Sequence, residues 1–138
     1  MQRRDFLALT AAITVAMPIK ARAAALDYSP GLVDQRLAAG ETVFVDFKAS
    51  WCTTCAAQER VLNGLKAENP AYERAVTFIN VDWDSYRDDA LTVFLNIPRR
   101  STLVVLKGDE ELGRIVAGTG RAEIKALMDT ALAAATGG

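Results

Sequence analysis

Val45-Asp46-Phe47-Lys48-Ala49-Ser50-Trp51-Cys52-Thr53-Thr54-Cys55 decides how this chain is read. Together with Thr42-Val43-Phe44 before it, its first part makes a nearly continuous run of β-branched and aromatic residues over 42–47, as expected of a strand covered on both faces. The period then changes. Gln58, Val61, Leu62 and Leu65 recur at helical spacing to about Glu68, and Asn69-Pro70 ends the run, so a helix starts at the first cysteine. Two cysteines three residues apart at a helix start can close a small disulfide ring or open into a dithiol. Unpaired backbone N–H groups and the helix dipole favour an anion at Cys52, which lowers its thiol below the usual pKa of about 8.5. Cys55, one turn further in, is less exposed yet close enough to attack a mixed disulfide formed at Cys52. A purely structural disulfide has little motive, because the loop it closes is almost as short as possible. The same spacing also allows two unrelated buried thiols, or half of a zinc site shared between two chains, although nothing nearby supplies further ligands.

Outward from this segment, residues 30–39 read as a short helix, with Ser29 as N-cap, Pro30 as first helical residue and Gly40 as the stop. Residues 75–81 read as a second core strand. Ser85, with Asp88 three residues on, reads as the cap of a short helix that buries Leu91, Phe94 and Leu95. After the loop 96–101, the apolar segments 102–106 and 111–116 flank Lys107-Gly108-Asp109-Glu110, a hairpin signal, and a last helix starts near Gly120. Strands alternating with helices predict a parallel core, and the hairpin adds an antiparallel strand. The expected fold is therefore one α/β domain with a central mixed sheet flanked by helices on both faces.

Composition narrows the chemistry. The chain has 138 residues, 51% hydrophobic and 24% charged, the balance of one folded domain. It has no histidine, which excludes Ser/His/Asp and Cys/His nucleophilic systems and histidine-ligated zinc. Two cysteines are too few for a structural zinc site, and Gly118-Thr119-Gly120 lacks the rest of a phosphate-binding fingerprint. Neither metal nor cofactor is expected beyond the cysteine pair itself.

At the N-terminus, Arg3-Arg4-Asp5-Phe6-Leu7 precedes an apolar run over 8–17, then Lys20 and Ala21-Arg22-Ala23-Ala24. This reads as an export signal over residues 1–23, cleaved near Ala23, and its Arg-Arg-x-Phe-Leu resembles the bacterial twin-arginine motif. The apolar run is shorter than the roughly 20 residues of a membrane span. Cleavage removes Arg3, Arg4, Lys20, Arg22 and Asp5 from 16 basic and 17 acidic residues, leaving 12 and 16 and a net charge of −4 for the domain 24–138. Such a surface argues against nucleic acid as a partner.

The ungapped segment 45–55 resembles the active-site strand and turn of the thioredoxin family, Val-Asp-Phe-x-Ala-x-Trp-Cys-x-x-Cys. Asn80-Val81-Asp82, the strand 102–107 with its glycine turn, and the closing strand and helix follow in family order. The resemblance implies a thioredoxin-like fold, with Cys52 as nucleophile, Cys55 as resolving thiol and Trp51 as the aromatic beside the exposed sulfur. It places Asp46 at the buried acid beneath the pair, where an apolar strand raises its pKa and lets it exchange the Cys55 proton through a water. A strand-end Asp that simply reaches solvent is the competing possibility. The family also places a cis-proline before the strand facing the dithiol. Here either Ser101 has replaced it, the preferred reading, or the loop is longer and Pro98 is the cis residue. Lys48 and Phe78 stand where cytoplasmic members carry tryptophan and lysine, and Arg99 and Arg100 flank the substrate loop, either to meet an acidic partner or steady a thiolate, or as solvated charges.

Thr53-Thr54 is neither the Gly-Pro of cytoplasmic thioredoxins nor the Pro-His of periplasmic oxidases. Two hydroxyls are available to the sulfur but no imidazolium, which favours a reductant. The dipeptide also resembles the periplasmic reductase domain of a transmembrane electron carrier. The expectation is a monomeric periplasmic protein-disulfide reductase. Its substrates would be disulfides of exported proteins, such as apocytochromes, and a membrane thiol electron carrier would re-reduce it. A disulfide oxidase or isomerase, and a binding module regulated by its disulfide, are the rival functions.

Overall fold

The computed structural model describes residues 25–137; the export-signal reading of residues 1–23 lies outside them. The elements are β1 (Leu26–Asp27), α1 (Leu32–Ala38), β2 (Thr42–Lys48), α2 (Thr53–Glu68), α3 (Ala71–Ala75), β3 (Thr77–Asp82), α4 (Trp83–Tyr86), α5 (Ala90–Phe94), β4 (Thr102–Lys107), β5 (Glu110–Val116) and α6 (Arg121–Ala135). The strands form one five-stranded sheet in the order β1-β3-β2-β4-β5. β2 runs parallel to β3 and antiparallel to β4, with Asp46 opposite Asn80 on one side and Leu103 on the other. The mixed sheet expected from the order of elements is present.

β2 is central, which explains its continuous apolar run: both faces are covered. Phe44 packs with Phe78, Leu103 and Val105 beneath Leu62 and Leu65 of α2, Tyr72 of α3, and Ile124, Leu127 and Met128 of α6. Val43, Val45 and Phe47 point the opposite way, against Val33 of α1, Ile79, Val81, Val104 and Leu106, together with Leu95 and Ile97. Each such side chain contributes about 1.5–3 kcal/mol by leaving water. Strand alternation puts Asp46 on the same face as Phe44, under α2. A carboxyl is thus built into the apolar layer that carries the cysteine helix.

Several boundaries differ from the sequence reading. α1 starts at Leu32, not Pro30: Leu32 N–H donates to the Ser29 carbonyl at 3.0 Å, so Pro30 sits in a turn, and Gly31 at the N-cap has φ 88°, which glycine adopts without strain. Pro70 opens a further short helix, α3, so β3 begins at Thr77 rather than residue 75. The helix expected after Ser85 is two helices. Ser85 lies within α4, while Asp89 caps α5 by accepting from Leu91 N–H at 3.1 Å. The intervening turn resets the helical phase. Leu95 is buried as expected, Leu91 is half-buried, and Phe94 is 81% exposed, contrary to the expectation that it is core. No helix among the described residues is long and apolar enough to cross a membrane.

Candidate active site

The C-terminal end of β2 delivers the chain through Ala49-Ser50-Trp51 to the start of α2, where Cys52 is the N-cap in extended conformation. Its Sγ accepts from Cys55 N–H at 3.1 Å, so the sulfur itself satisfies one of the orphan donors of the helix start. Cys52 and Cys55 form a disulfide with their Cα atoms 5.2 Å apart. Both are buried, Cys52 at 5% exposure, packed with Ala49 and against Trp83 of α4.

Opposite the pair lies Ser101, just before β4. The peptide bonds of the described residues are all trans, including those before Pro98 and Ser101, and Pro98 is exposed on the loop. Ser101 therefore faces the sulfurs, in the place the resemblance gives to a proline. It is fully buried with φ 64°, a conformation uncommon for a residue with a side chain. Its Oγ lies 3.1 Å from Cys52 Sγ and 3.1 Å from Cys55 Sγ. The hydroxyl at the sulfurs belongs to Ser101, and not to Thr53 or Thr54 as the sequence suggests. Thr53 is exposed, Thr54 half-buried, and neither makes a hydrogen bond to sulfur.

Gln58 fixes this loop to α2. Fully buried one turn beyond Cys55, it donates from Nε2 to the Ser101 carbonyl at 3.0 Å and to the Gly118 carbonyl at 2.9 Å. In the sequence it counts only as part of a helical stripe. An amide among Leu62 and Leu65 is nevertheless a signal, since a buried amide needs polar partners.

Trp51 is 56% exposed beside Cys52, and its ring is held from two directions. Its indole Nε1 donates to Asp84 of α4 at 2.8 Å, and the Arg100 guanidinium sits 4.4 Å from the ring centroid. Arg100 Nε is buried with no hydrogen-bond partner among the described residues. The site residues from β2, α2 and the loop before β4 thus converge, with Asp84 added to them.

Asp46 lies below, and one of its carboxyl oxygens is buried with no hydrogen-bond partner among the described residues. Burial pushes its pKa up from the usual carboxylate range to about 7; Lys48 and Lys66 oppose this and Glu59 adds to it. The solvated strand-end possibility is thereby replaced by a buried acid that titrates near neutrality. A polar cleft of about 310 Å³, lined by Asp46, Lys48, Glu59 and Lys66 among others, opens beside it. Lys48 pairs with Glu59 at 3.0 Å, and the Lys66 ammonium lies 4.0 Å from the ring centroid of Phe78. The cationic groups near Asp46 therefore come from the end of β2 and from α2, whereas β3 offers Phe78.

Chemically, a buried Cys-x-x-Cys pair at a helix start, with a carboxyl titrating near 7 below it, can exchange two electrons with an external disulfide and manage the accompanying proton. No group of three or more Cys, His, Asp or Glu among the described residues is arranged to hold a metal.

The comparisons agree with this geometry. The thioredoxin family model matches residues 30–130. Thioredoxin H2-1 of rice (Oryza sativa subsp. japonica) is 34% identical over 88 residues, an alignment that spans 64% of this chain and 59% of the rice protein. The crystal structure of Trxlp from Edwardsiella tarda superposes with a TM-score of 0.64 at 32% identity, covering 75% of this chain and 98% of that one. Thioredoxin pre-protein of Schistosoma mansoni, 22% identical with a TM-score of 0.60 over 75% of this chain and 94% of its own, shares the fold. With the family model running from before α1 into α6 and the Cys-x-x-Cys pair at the start of α2, the chain belongs to the thioredoxin family.

Proposed function

We propose that this thiol-disulfide oxidoreductase works in the periplasm as a reductant of disulfides in exported proteins, apocytochromes among them, and is recharged by a membrane thiol electron carrier. The observation that carries the direction is the hydrogen bonding of Cys52. Its sulfur is met by two neutral groups, the Cys55 N–H and the Ser101 hydroxyl. Strongly oxidising members of this chemistry stabilise the thiolate far more, and with it the reduced form. The compartment rests on Arg3-Arg4, the apolar run and the Ala-x-Ala site.

In this reading the Cys52 thiolate attacks one sulfur of the substrate disulfide. A Cys52–substrate disulfide forms, and the other substrate sulfur leaves as a thiolate that takes a proton from water. Cys55 then loses its proton through a water to ionised Asp46 and attacks Cys52 Sγ. The Cys52–Cys55 disulfide forms, the substrate's remaining sulfur leaves with its electron pair, and the substrate is reduced by two electrons.

Equilibration of the Cys52/Cys55 pair with glutathione tests the direction, and the expected potential lies below about −200 mV. A value near the roughly −120 mV of the strongest oxidants would reverse the reading. In cells, Cys55→Ser should accumulate mixed disulfides with exported proteins. Wild-type capture of a partner without thiol exchange would instead favour the binding module. Mass spectrometry of the mature N-terminus tests export, with cleavage near Ala23 expected.

A further inference from the structure

The geometry points to Ser101 as a third catalytic group of the dithiol site: its hydroxyl donates a hydrogen bond to the Cys52 thiolate while accepting one from the Cys55 thiol, holding the negative charge on Cys52. The inference rests on dithiol exchange through the two cysteines and is independent of the net direction of electron flow.

A hydroxyl has one proton to give and two lone pairs to receive with. Ser101 Oγ lies at the same 3.1 Å from both sulfurs, so one hydroxyl can serve both at once. In the disulfide state neither sulfur has a proton, and the hydroxyl donates to either. Once the pair is reduced the sites become unequal. Cys52 Sγ also accepts the Cys55 N–H, whereas no other donor among the described residues bonds to the Cys55 sulfur. The arrangement of lowest energy is then O–H directed to Cys52 S⁻ and the Cys55 S–H directed to Oγ. No proton passes to or from Ser101 in any step; it steers where the existing ones reside.

Ser101 is held well enough to do this. Its N–H donates to the Phe47 carbonyl at 2.7 Å, and its own carbonyl accepts from Ala117 N–H at 2.9 Å and from Gln58 Nε2 at 3.0 Å. Every backbone polar group of the residue is thus committed within the domain. Ser101 and Ala117 both have positive φ, 64° and 63°. Strained conformations of this kind persist where surrounding contacts over-determine them, and here they aim one hydroxyl at two sulfurs.

Among the described residues, no charged side chain makes a hydrogen bond to either sulfur. Asp46 on β2 lies in the layer beneath α2, Arg100 is stacked on Trp51, and Asp84 accepts from its indole. Among the described residues, the Ser101 hydroxyl is the polar side chain hydrogen-bonded to the reacting sulfurs.

Two variants separate the hydroxyl from the backbone. Ser101→Gly removes the hydroxyl and accepts the positive φ readily; Ser101→Ala removes it and keeps a Cβ. The readout is the titration of Cys52 in the reduced protein, from thiolate absorbance near 240 nm and from iodoacetamide alkylation rates across pH, with no disulfide substrate present. A hydrogen bond to a charged acceptor corresponds to at least about a tenfold change in thiolate population, so both variants should raise the Cys52 pKa by about one unit or more. Their potentials should fall by up to about 30 mV for each tenfold change in thiolate population, the conversion for a two-electron couple.

Thermal melts of the oxidised variants report whether each is folded. A pKa that moves in Ser101→Ala but stays at the wild-type value in Ser101→Gly would assign the effect to the backbone and overturn the proposal. So would wild-type pKa values in both. Failure of the oxidoreductase reading would appear separately, as wild-type protein that does not reduce an added disulfide.

Discussion

Replacing Asp46 by Asn should raise stability relative to wild type more at pH 8 than at pH 5. The Asp46 carboxyl is buried in the layer under α2, with one oxygen unpartnered among the described residues, and burial raises its pKa from the usual 3.8 to about 7. Between these values the native state binds a proton that the unfolded chain has released, so stability falls as pH rises through this window and levels off above pH 7. At 1.36 kcal/mol per unit, the two units between pH 5 and 7 correspond to roughly 3 kcal/mol lost by wild type and kept by the variant. Urea unfolding of both oxidised proteins at pH 5 and pH 8 measures this as the difference between two differences, which cancels the unrelated cost of burying an amide. A wild-type stability that falls no further than that of Asp46→Asn between the two pH values would falsify the burial argument. The same variant tests mechanism: single-turnover reduction of a substrate disulfide should slow and lose its inflection near pH 7. An unchanged rate from pH 6 to 9 removes Asp46 from proton transfer.

The neighbours of Asp46 should tune it. Glu59→Gln lowers its pKa and Lys48→Met raises it, so the stability inflection moves to lower and higher pH respectively; identical profiles would deny the coupling. Gln58→Leu leaves the Gly118 carbonyl without the side-chain amide it accepts from and loosens Ser101, costing about 1–3 kcal/mol in urea unfolding of the oxidised protein. An unmoved midpoint would show that the loop is fixed some other way. Arg100, with no ion pair among the described residues, should favour substrates carrying Asp or Glu beside the reactive cysteine. Arg100→Gln should therefore slow reduction of an acidic peptide disulfide several-fold at low salt and a neutral one less, and equal slowing of the two would contradict this.

Much of the fold is legible locally. A continuous apolar run such as 42–47 requires cover on both faces, and the change of period after Cys52 marks the helix start within one residue of its position in the structure. Short helices are the weak point. α3, α4 and α5 have five, four and five residues, too few for a period to accumulate, and the turn before Asp89 resets the phase that would otherwise bury Phe94. β1 has two residues and exists only because it pairs with β3.

The site divides along the same line. Cys52, Cys55, Trp51 and Asp46 lie within ten residues of one another; the cysteine spacing at a helix start follows from local periodicity, whereas the places of Trp51 and Asp46 beside the pair are what the family resemblance implies. What touches the sulfurs from outside that segment is not local. Ser101 arrives from 46 positions beyond Cys55, and Gln58 binds a carbonyl 60 positions away. A cysteine pair at a helix start after a buried strand is legible from the change of period, and its redox role and the acid beneath it from the family resemblance of residues 45–55. The family resemblance sets Ser101 before the strand that faces the dithiol, but that its hydroxyl, and not Thr53 or Thr54, meets both sulfurs follows only from the folded chain, where β4 pairs beside β2 and holds the loop at its start against the start of α2.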